Sequence, residues 1–326
     1  MEILNLKNKL NDAKKYLENK KINNNYDQML KNSLKEIIDK YNNNFKKKLK
    51  IKNIVITRGW LKFYELIFHI NEKSNKIFDI NDIFFNCEFP GGGIIAVNYY
   101  YYNYNIDLKW KASSYTENKD CLKDSFNLYK NFNANWCFNI SNGDMTNDES
   151  INKIIDVYKN SFSIFFSDGA IDIKDLYSDQ ENLNFNIIQG SCKLGYNLLK
   201  LNGIMIIKFY TFFENKTRLL IYEYSKKFEY VQFFKPLTSN KNNSEIYVIF
   251  YHKLNNYLNI KYNDFNKSLI NEMKIIVNKQ IYNLEKIKNM NVISYTLDFQ
   301  YNFYKTWISK YFKKNINLYQ KLKLIK

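Results

Sequence analysis

Three ionisable side chains stand at the ends of strongly apolar segments. Asp168 follows the run FSIFFS, Lys208 closes GIMIIK, and Glu245 opens EIYVIFY. A lysine is almost never buried without a partner, so the Lys208 ammonium must meet an acid or a substrate unless it reaches solvent at a sheet edge. The Asp168 carboxylate likewise needs solvent or a cation. All three groups are candidates for one charged site if the fold brings these strand ends together.

The order of the elements predicts that they do meet. Short apolar runs alternate with longer helix-like segments, which is typical of an α/β fold with a parallel sheet flanked by helices. The polar connection between Pro236 and Ser244 is too short for a parallel crossover, so the last strand is predicted to be antiparallel. Glu245 then lies at the same edge as Asp168 and Lys208. Seven strands are predicted, at residues 83–88, 106–112, 136–140, 162–167, 203–209, 229–234 and 245–251.

A glycine turn, Cys87-Glu88-Phe89-Pro90-Gly91-Gly92-Gly93, follows the first predicted strand. Glycines let a backbone approach a ligand closely, and nucleotide-like ligands bind at the carboxyl edge of such sheets. The turn lacks the GxGxxG of a dinucleotide site and the Gly-Lys-Ser/Thr of a phosphate loop, which argues against an NAD-linked dehydrogenase. The acidic Glu88 suits a ligand with amine and hydroxyl groups, such as S-adenosylmethionine. The alternative is a plain tight turn.

A second turn, Asn142-Gly143-Asp144-Met145-Thr146, places another acid at the same predicted edge. Asp168 is itself followed by Gly169, so each of these could be an ordinary Asp-Gly turn. Acids at three successive strand ends, Glu88, Asp144 and Asp168, are less easily explained in this way. We therefore expect a ligand site along this edge.

The basic residues are concentrated in the two flanks of the chain. The 326 residues carry a net charge of +17, and 45% are apolar, which excludes a disordered chain. Residues 1–52 hold 14 lysines against 6 acids, and residues 253–326 hold 14 against 4, so the middle is nearly neutral. We predict basic helical extensions at 1–54 and 253–326 around a domain at 55–252. An AT-rich genome would also enrich lysine. The run KKKLKIK at 46–52 could be a nuclear-localisation or nucleic-acid patch, with an ordinary solvated helix as the alternative.

Several protein classes are disfavoured by composition. Two histidines leave little for a histidine relay, and four cysteines without CxxC spacing favour reduced thiols over a disulfide framework or zinc site. No metal is expected. No apolar run approaches the ~20 residues that cross a bilayer, so we expect a soluble, intracellular protein without membrane contact. We expect it in the cytoplasm, with the nucleus as the alternative.

Five segments together resemble a known family. CEFPGGG, NGDMT, SDGAID, GIMIIKFYTFFE and FFKPLTSNKNNSEIYVI occur in the order and spacing of the FtsJ-like RNA 2′-O-methyltransferases. The chain is most similar to the cap-specific mRNA enzymes, especially the cap-2-type branch and its viral relatives, over residues 55–252. The resemblance implies a Rossmann-like class I methyltransferase fold whose mostly parallel, seven-stranded sheet ends in an antiparallel strand.

The resemblance also implies roles for particular residues. The family uses a Lys-Asp-Lys-Glu tetrad, whose last three members match Asp168, Lys208 and Glu245. The first member is expected on a helix before the glycine turn, and TRGWLKFYE at 57–65 makes Lys62 the candidate, with Lys52 and Lys73 as alternatives. S-adenosylmethionine would be held by residues of the turn, by an acid for the adenine amino group, by a tryptophan near the adenosine and by the tetrad aspartate: Glu88, Pro90, Gly91, Gly92, Gly93, Asp144, Trp110 and Asp168. A core role is the alternative for Trp110.

The expected activity is methylation of a ribose 2′-hydroxyl at the m7G-capped 5′ end of mRNA. The basic flanks would attract RNA phosphates, and other capping or transcription proteins are further candidate partners. Two alternatives stay open: a methyltransferase for rRNA or tRNA, and a catalytically silent RNA-binding or processivity subunit. The sequence leaves open the oligomeric state and which nucleotide is methylated.

Overall fold

A six-stranded mixed sheet forms the centre of the part of the chain that the structure describes. The computed structural model describes residues 2–19, 57–73, 80–102, 104–116, 123–171, 178–236, 239 and 243–288. The strands are β1 (Asp82–Asn86), β2 (Lys109–Ser113), β3 (Phe162–Ser167), β4 (Leu199–Phe209), β5 (Phe228–Phe234) and β6 (Ile246–Lys253).

The strand order is β2-β1-β3-β4-β6-β5. Strands β1 to β4 run parallel to one another, and β6 lies between β4 and β5, antiparallel to both. This confirms the predicted α/β fold and the antiparallel last strand. The start of β6 therefore lies at the same edge as the carboxyl ends of β3 and β4.

The predicted strand at 136–140 is wrong. Residues Asn133–Asn135 and Cys137–Asn139 form two short 3₁₀ turns, and only one isolated bridge, between Ala112 and Trp136, links this segment to β2. Its apolar residues pack as an aromatic cluster, with the rings of Trp136 and Phe138 stacked 5.2 Å apart. The residues at 136–140 are apolar because they pack in this aromatic cluster and not because they form a strand. The sheet therefore has six strands among the described residues instead of seven.

Helices cover both faces of the sheet. They are α1 (Glu2–Asn19), α2 (Arg58–Lys73), α3 (Gly92–Tyr102), α4 (Leu128–Asn131), α5 (Asp148–Tyr158), α6 (Gln180–Leu198), α7 (Asn215–Ser225) and α8 (Tyr262–Lys288). One apolar cluster joins α2 and α3 to one face of the sheet, and a second joins α5, α6, α7 and the terminal helices α1 and α8 to the other.

The start of α2 is fixed by its own sequence. The Thr57 hydroxyl accepts a hydrogen bond from the Trp60 backbone N–H, which satisfies one of the open donors of the first turn. Trp60, Phe63, Ile67 and Ile70 recur at helical spacing and are almost fully buried. This fixed face determines which side of α2 is turned toward the carboxyl edge of the sheet.

The two terminal helices pack against each other. Leu10 of α1 is fully buried in the same cluster as Leu269 and Met273 of α8, and the Lys274 ammonium lies 2.7 Å from the Glu2 carboxylate. Residues 2–19 and 262–288 of the two flanks are thus helical, whereas Lys52 and the run at 46–52 lie outside the described residues. Among those described, no helix is long and apolar enough to cross a membrane. The proposed boundaries at 54 and 252 stay predictions.

Candidate active site

Two of the predicted residues, Asp168 and Lys208, lie on the face of the sheet that α2 covers. Successive side chains of a strand point to opposite faces, so Asp168 shares a face with Phe166, and Lys208 shares one with Ile206. Phe166 and Ile206 both belong to the apolar cluster that includes α2 and α3. Because β3 and β4 are parallel neighbours, Asp168 and Lys208 leave the sheet side by side at its carboxyl edge.

The antiparallel strand β6 contributes from the other direction. Tyr247 lies directly opposite Lys208 in the β4–β6 pairing, so the two side chains share a face. Glu245, two residues earlier, lies on that same face just beyond the carboxyl end of β4. Lys62 reaches this point from α2, with its Nζ 3.2 Å from Glu245 Oε2 and 3.5 Å from Asp168 Oδ2.

The structure therefore brings together all four predicted tetrad residues. Lys208 Nζ lies 3.2 Å from Asp168 Oδ1 and donates a 2.6 Å hydrogen bond to the Asp168 backbone oxygen. The exposed fractions of the four side chains lie between 8% and 18%. Two amines and two carboxylates thus share one compact site, with Lys62 rather than Lys73 as the first lysine. The catalytic role of the four residues stays a prediction.

Ion pairing sets the protonation of this tetrad. Burial by itself would raise the pKa of Asp168, but the Lys208 and Lys62 ammonium groups outweigh it and lower that pKa to about 2. Burial would likewise lower the pKa of Lys208 and of Lys62, yet the Asp168 carboxylate in particular raises both. Burial by itself would raise the pKa of Glu245, but the Lys62 and Lys208 ammonium groups together outweigh it and lower that pKa. Near neutral pH all four groups are charged, and their charges sum to zero.

Tyr247 is a functional candidate that the sequence reasoning missed. Its hydroxyl donates a 2.6 Å hydrogen bond to Asp168 Oδ1, and its ring centroid lies 5.8 Å from Lys62 Nζ, within cation–π range. The signal was available, since a residue two positions after Glu245 in a strand must share its face. Tyr247 and Lys208 thus both contact Oδ1 of Asp168.

The connection before β6 supplies two further contacts that could not be predicted from the sequence. Ser239 donates a 2.7 Å hydrogen bond to Glu245 Oε1. Lys235 donates to the Asn243 backbone and side-chain oxygens at 2.9 and 2.6 Å, and to the Glu245 backbone oxygen at 2.6 Å. Burial lowers the pKa of Lys235 to about 7, because the oxygens that accept its hydrogen bonds are uncharged. Lys235 thereby joins both ends of the loop that leads into Glu245.

The glycine turn has the close packing that its sequence suggested. Gly91 has a φ of 102°, a conformation that glycine adopts without strain. A Cβ at Gly93 would lie 2.6 Å from the Phe63 ring and 2.7 Å from Glu88 Oε1, so only glycine fits. Glu88 Oε1 accepts a hydrogen bond from the Gly93 backbone N–H, across the start of α3 at Gly92.

The turn and the tetrad border one region. The charges of Lys208, Asp168, Glu88 and Asp144 all act on the buried Cys87 thiol, whose pKa burial raises to about 12. Burial, reinforced by Asp168, also raises the pKa of Glu88 to about 8. A region bordered by three carboxyl groups and close-packed glycine backbone fits a ligand with cationic and hydroxyl groups, such as S-adenosylmethionine, and disfavours a pyrophosphate. The predicted turn residues Pro90, Gly91, Gly92 and Gly93 lie beside this region.

The second predicted turn lies at the end of β2. A Cβ at Gly143 would lie 2.2 Å from the Ser114 backbone oxygen, so this turn packs directly on the segment that follows β2. Asp144 Oδ1 accepts hydrogen bonds from the Thr146 N–H at 2.8 Å and from its hydroxyl at 2.7 Å. These bonds fix the orientation of the Asp144 carboxylate at the sheet edge where an adenine contact is predicted.

Trp110 lies farther from this edge than the other predicted ligands. It pairs with Ile83 near the start of β2, three residues before the strand ends. Its ring packs edge-on against Phe132 at 6.2 Å and Trp136 at 5.9 Å. This geometry favours the core alternative, and the adenosine contact of Trp110 stays a prediction. Within the described ranges, no group of three or more His, Cys, Asp and Glu side chains could hold a metal ion.

The comparisons with known proteins agree with this geometry. A family model described as FtsJ-like methyltransferase matches residues 55–253. The chain belongs to the FtsJ-like methyltransferase family. This family match covers the six strands of the sheet and all four residues of the tetrad.

Curated relatives include viral and animal proteins. A protein named probable methyltransferase from African swine fever virus is 30% identical over 211 residues, covering 60% of this chain and 49% of the relative. Proteins named cap-specific mRNA (nucleoside-2′-O-)-methyltransferase are 27% identical in the baculovirus Autographa californica nuclear polyhedrosis virus and, for methyltransferase 2, 26% identical in mouse. The baculovirus match covers 71% of this chain and 86% of the relative, and the mouse match covers 76% and 33%. The chain spans about half the length of the swine fever virus relatives.

One solved structure, titled as a putative ribosomal RNA methyltransferase from Plasmodium falciparum, aligns with a TM-score of 0.41 and 18% identity. This alignment covers 61% of this chain and 99% of that one.

Proposed function

We propose that this protein transfers a methyl group from S-adenosylmethionine to a ribose 2′-hydroxyl at the capped 5′ end of mRNA. The observation that carries the proposal is the convergence of Lys62, Asp168, Lys208 and Glu245 beside the glycine turn. The acceptor is supported by the family and by the names of the mouse and baculovirus relatives. The complete tetrad argues against a catalytically silent subunit.

The cofactor would lie along the carboxyl edge of β1, β2 and β3. The glycine turn would hold its methionine portion, while Asp144 accepts hydrogen bonds from the adenine amino group. When bound, the cofactor supplies a methyl group on a positively charged sulfur. The carboxylates of Asp144 and Asp168 favour such a cation electrostatically, whereas Glu88 keeps its proton near neutral pH and contributes no charge.

The protonation states assign different tasks to the lysines and the carboxylates. Because its pKa is raised, Lys208 is an ammonium at neutral pH and donates a hydrogen bond to the 2′-oxygen instead of acting as a resting base. That bond orients an oxygen lone pair and stabilises negative charge on the oxygen as its proton leaves. The Lys62 ammonium, held 3.2 Å from Glu245 Oε2, adds a second positive charge to the site and so supports the same stabilisation.

The hydroxyl proton must leave as the new C–O bond forms. Asp168, with a pKa of about 2, is too weak a base to take this proton before the methyl group arrives. The proton therefore passes to the Asp168 carboxylate while the C–O bond forms, and the Lys208 ammonium stabilises the partial negative charge on the oxygen during the transfer. Positioning of the hydroxyl in a site that is largely closed to water contributes much of the rate.

The basic flanks would then attract the RNA. Phosphate contacts dominate nucleic-acid affinity, and each contact makes binding weaker as salt concentration rises. We expect RNA affinity to fall steeply between low and physiological salt. RNA affinity that does not change with salt concentration would show that the flanks are not part of the RNA-binding surface.

The proposal is tested with one short RNA in two forms, m7G-capped and 5′-triphosphorylated, together with rRNA and tRNA transcripts. Labelled S-adenosylmethionine reports transfer, and mass spectrometry maps the methyl group. We expect transfer to a 2′-oxygen near the cap and little to the uncapped form. Preferred methylation of rRNA or tRNA would reassign the substrate, and cofactor binding without transfer to any of them would indicate a silent subunit.

A further inference from the structure

The residue before Glu245 is held by both terminal helices. Lys14 of α1 donates a 2.8 Å hydrogen bond to the Ser244 hydroxyl. The side-chain amide of Gln280 in α8 lies 3.3 to 3.4 Å from the same hydroxyl. Ser244 and Gln280 are both buried, with exposed fractions of 6% and 5%. A single hydroxyl next to a tetrad residue thus joins segments that are separated by more than 200 residues in sequence.

Helix α1 is fixed where it makes this contact. Its Leu10 side chain is fully buried, and Lys7 Nζ lies 2.5 Å from Glu214 Oε1, just before α7. The ion pair between Glu2 and Lys274 joins its first turn to α8. Lys14 therefore reaches Ser244 from a helix that is anchored along its length.

The backbone oxygen and both carboxylate oxygens of Glu245 also accept hydrogen bonds. Lys235 holds its backbone oxygen, and Ser239 holds Oε1 of its carboxylate. The other carboxylate oxygen, Oε2, accepts the hydrogen bond from Lys62. A continuous series of contacts therefore runs from Lys14 through Ser244 and Glu245 to Lys62.

From this series we propose that α1 and α8 position Glu245, and through it Lys62, so that the terminal helices belong to the catalytic unit. Lys14 and Gln280 are positioning residues that act through Ser244. This inference rests on the proposed function and deepens it, because it gives the flanks a task besides attracting RNA. A small displacement of Glu245 would move the Lys62 ammonium relative to the reacting oxygen, and methyl transfer depends strongly on such alignment.

Two substitutions on the same helix separate positioning from charge. Lys14→Met and Lys15→Met each remove one positive charge from α1, but Lys15 is exposed. We expect Lys14→Met to lower kcat about fivefold, the rate equivalent of roughly one hydrogen bond, without raising the KM for capped RNA. Lys15→Met keeps the wild-type kcat. Lys14→Arg, which keeps a donor, restores most of the rate. Equal effects of the two methionine variants, or an effect of Lys14→Met on KM alone, would overturn the proposal.

A double-mutant cycle adds a second test. If Lys14 acts through Ser244, Ser244→Ala abolishes most of the further effect of Lys14→Met on kcat, so the two changes are not additive. Additive effects contradict the proposal. Because Ser244→Ala removes only a hydroxyl, that single variant remains informative if Lys14→Met impairs folding: we expect it to lower kcat about fivefold, and a wild-type kcat would contradict the proposal.

Hydrogen exchange tests the same contact without any assay of methylation. We expect amide protection at residues 245–249 to fall in Lys14→Met and to be unchanged in Lys15→Met. Unchanged protection in both variants contradicts the proposal. If the wild-type protein transfers no methyl group while Lys14→Met loses amide protection, the proposed function fails but the contact between Lys14 and Ser244 is supported. If the wild-type protein is active and the two variants do not differ in protection, the proposed function stands and the positioning role of Lys14 fails.

Discussion

Buried ionisable groups behave in opposite ways at the centre of the site and at its margins. At the centre, Asp168 and Lys208 lie 3.2 Å apart; the pKa of the acid is lowered to about 2, and that of the amine is raised. At the margins, burial raises the pKa of Glu88 to about 8 and lowers that of Lys235 to about 7. All four groups are buried or half-buried, so burial alone does not decide their charge.

The difference is in the partners. Glu88 accepts a hydrogen bond from the neutral Gly93 N–H, and Lys235 donates to the oxygens of Asn243 and of the Glu245 backbone. Neutral partners only partly replace water around a charge, whereas an opposite charge at close range reverses the effect of burial. The tetrad therefore keeps its charges across the neutral range, and the margins are where the protein responds to pH.

Breaking the paired centre has the largest expected effect. Asp168→Asn leaves Lys208 without its nearest carboxylate, so burial is opposed less strongly and the pKa of Lys208 falls. We expect the single-turnover rate of methyl transfer to fall about a thousandfold, and the free energy of unfolding to fall by roughly 3–5 kcal/mol, the cost of an uncompensated buried charge. Rapid-quench kinetics and urea unfolding measure the two quantities.

The matched control is Asp156→Asn, which removes an exposed acid of α5. It should change neither quantity. If both variants behaved alike, the charge pairing would have no special importance at the centre.

Much of this centre could be predicted from the sequence, because Asp168, Lys208 and Glu245 end or begin apolar strands and strand direction follows from loop length. The segment at 136–140 failed for a physical reason: aromatic residues in a packed turn look the same as aromatic residues in a strand. The contacts of Ser239, Lys235 and Lys14 could not be predicted, since they depend on the conformation of a loop and on the tertiary packing of the terminal helices.

The margins give the next prediction, which concerns stability and pH. The folded protein keeps the Glu88 proton up to about pH 8, whereas the unfolded chain loses it near its usual value of 4.5. Between these values the folded state binds more protons, so Glu88 makes the free energy of unfolding fall as pH rises, by up to about 1.4 kcal/mol per pH unit. Glu88→Gln should remove this slope in urea unfolding measured between pH 5 and 8.

Lys235→Met should show the opposite sign. The unfolded chain keeps the Lys235 proton up to about 10.5, whereas the folded protein loses it near 7, so in this range Lys235 makes the free energy of unfolding rise with pH. Its replacement flattens that rise. If Glu88→Gln and Lys235→Met changed the slope of the free energy of unfolding against pH in the same direction, the distinction between acid and amine at the margins would be contradicted.

At the centre, a smaller effect is expected from Tyr247→Phe, which removes a hydroxyl without removing a charge. The variant loses the 2.6 Å hydrogen bond to Asp168 but keeps the ring beside Lys62. A hydrogen bond to a charged group is worth roughly 1.5 kcal/mol or more, so we expect kcat to fall about tenfold with an unchanged KM. Steady-state kinetics with capped RNA measures both.

Tyr251→Phe is the matched control, because the Tyr251 hydroxyl lies on the same strand and face but donates to Gln232, at 3.0 Å. We expect wild-type kinetics from it. A tenfold loss in both variants would show that any buried hydroxyl of β6 matters equally.

The most direct test of the central claim is the single-turnover rate of methyl transfer to m7G-capped RNA by Lys208→Ala, with S-adenosylmethionine binding measured on the same preparation. The account predicts that the rate falls by about a hundredfold or more while the cofactor still binds, because the ammonium that stabilises the developing charge is gone. Transfer at the wild-type rate would contradict it.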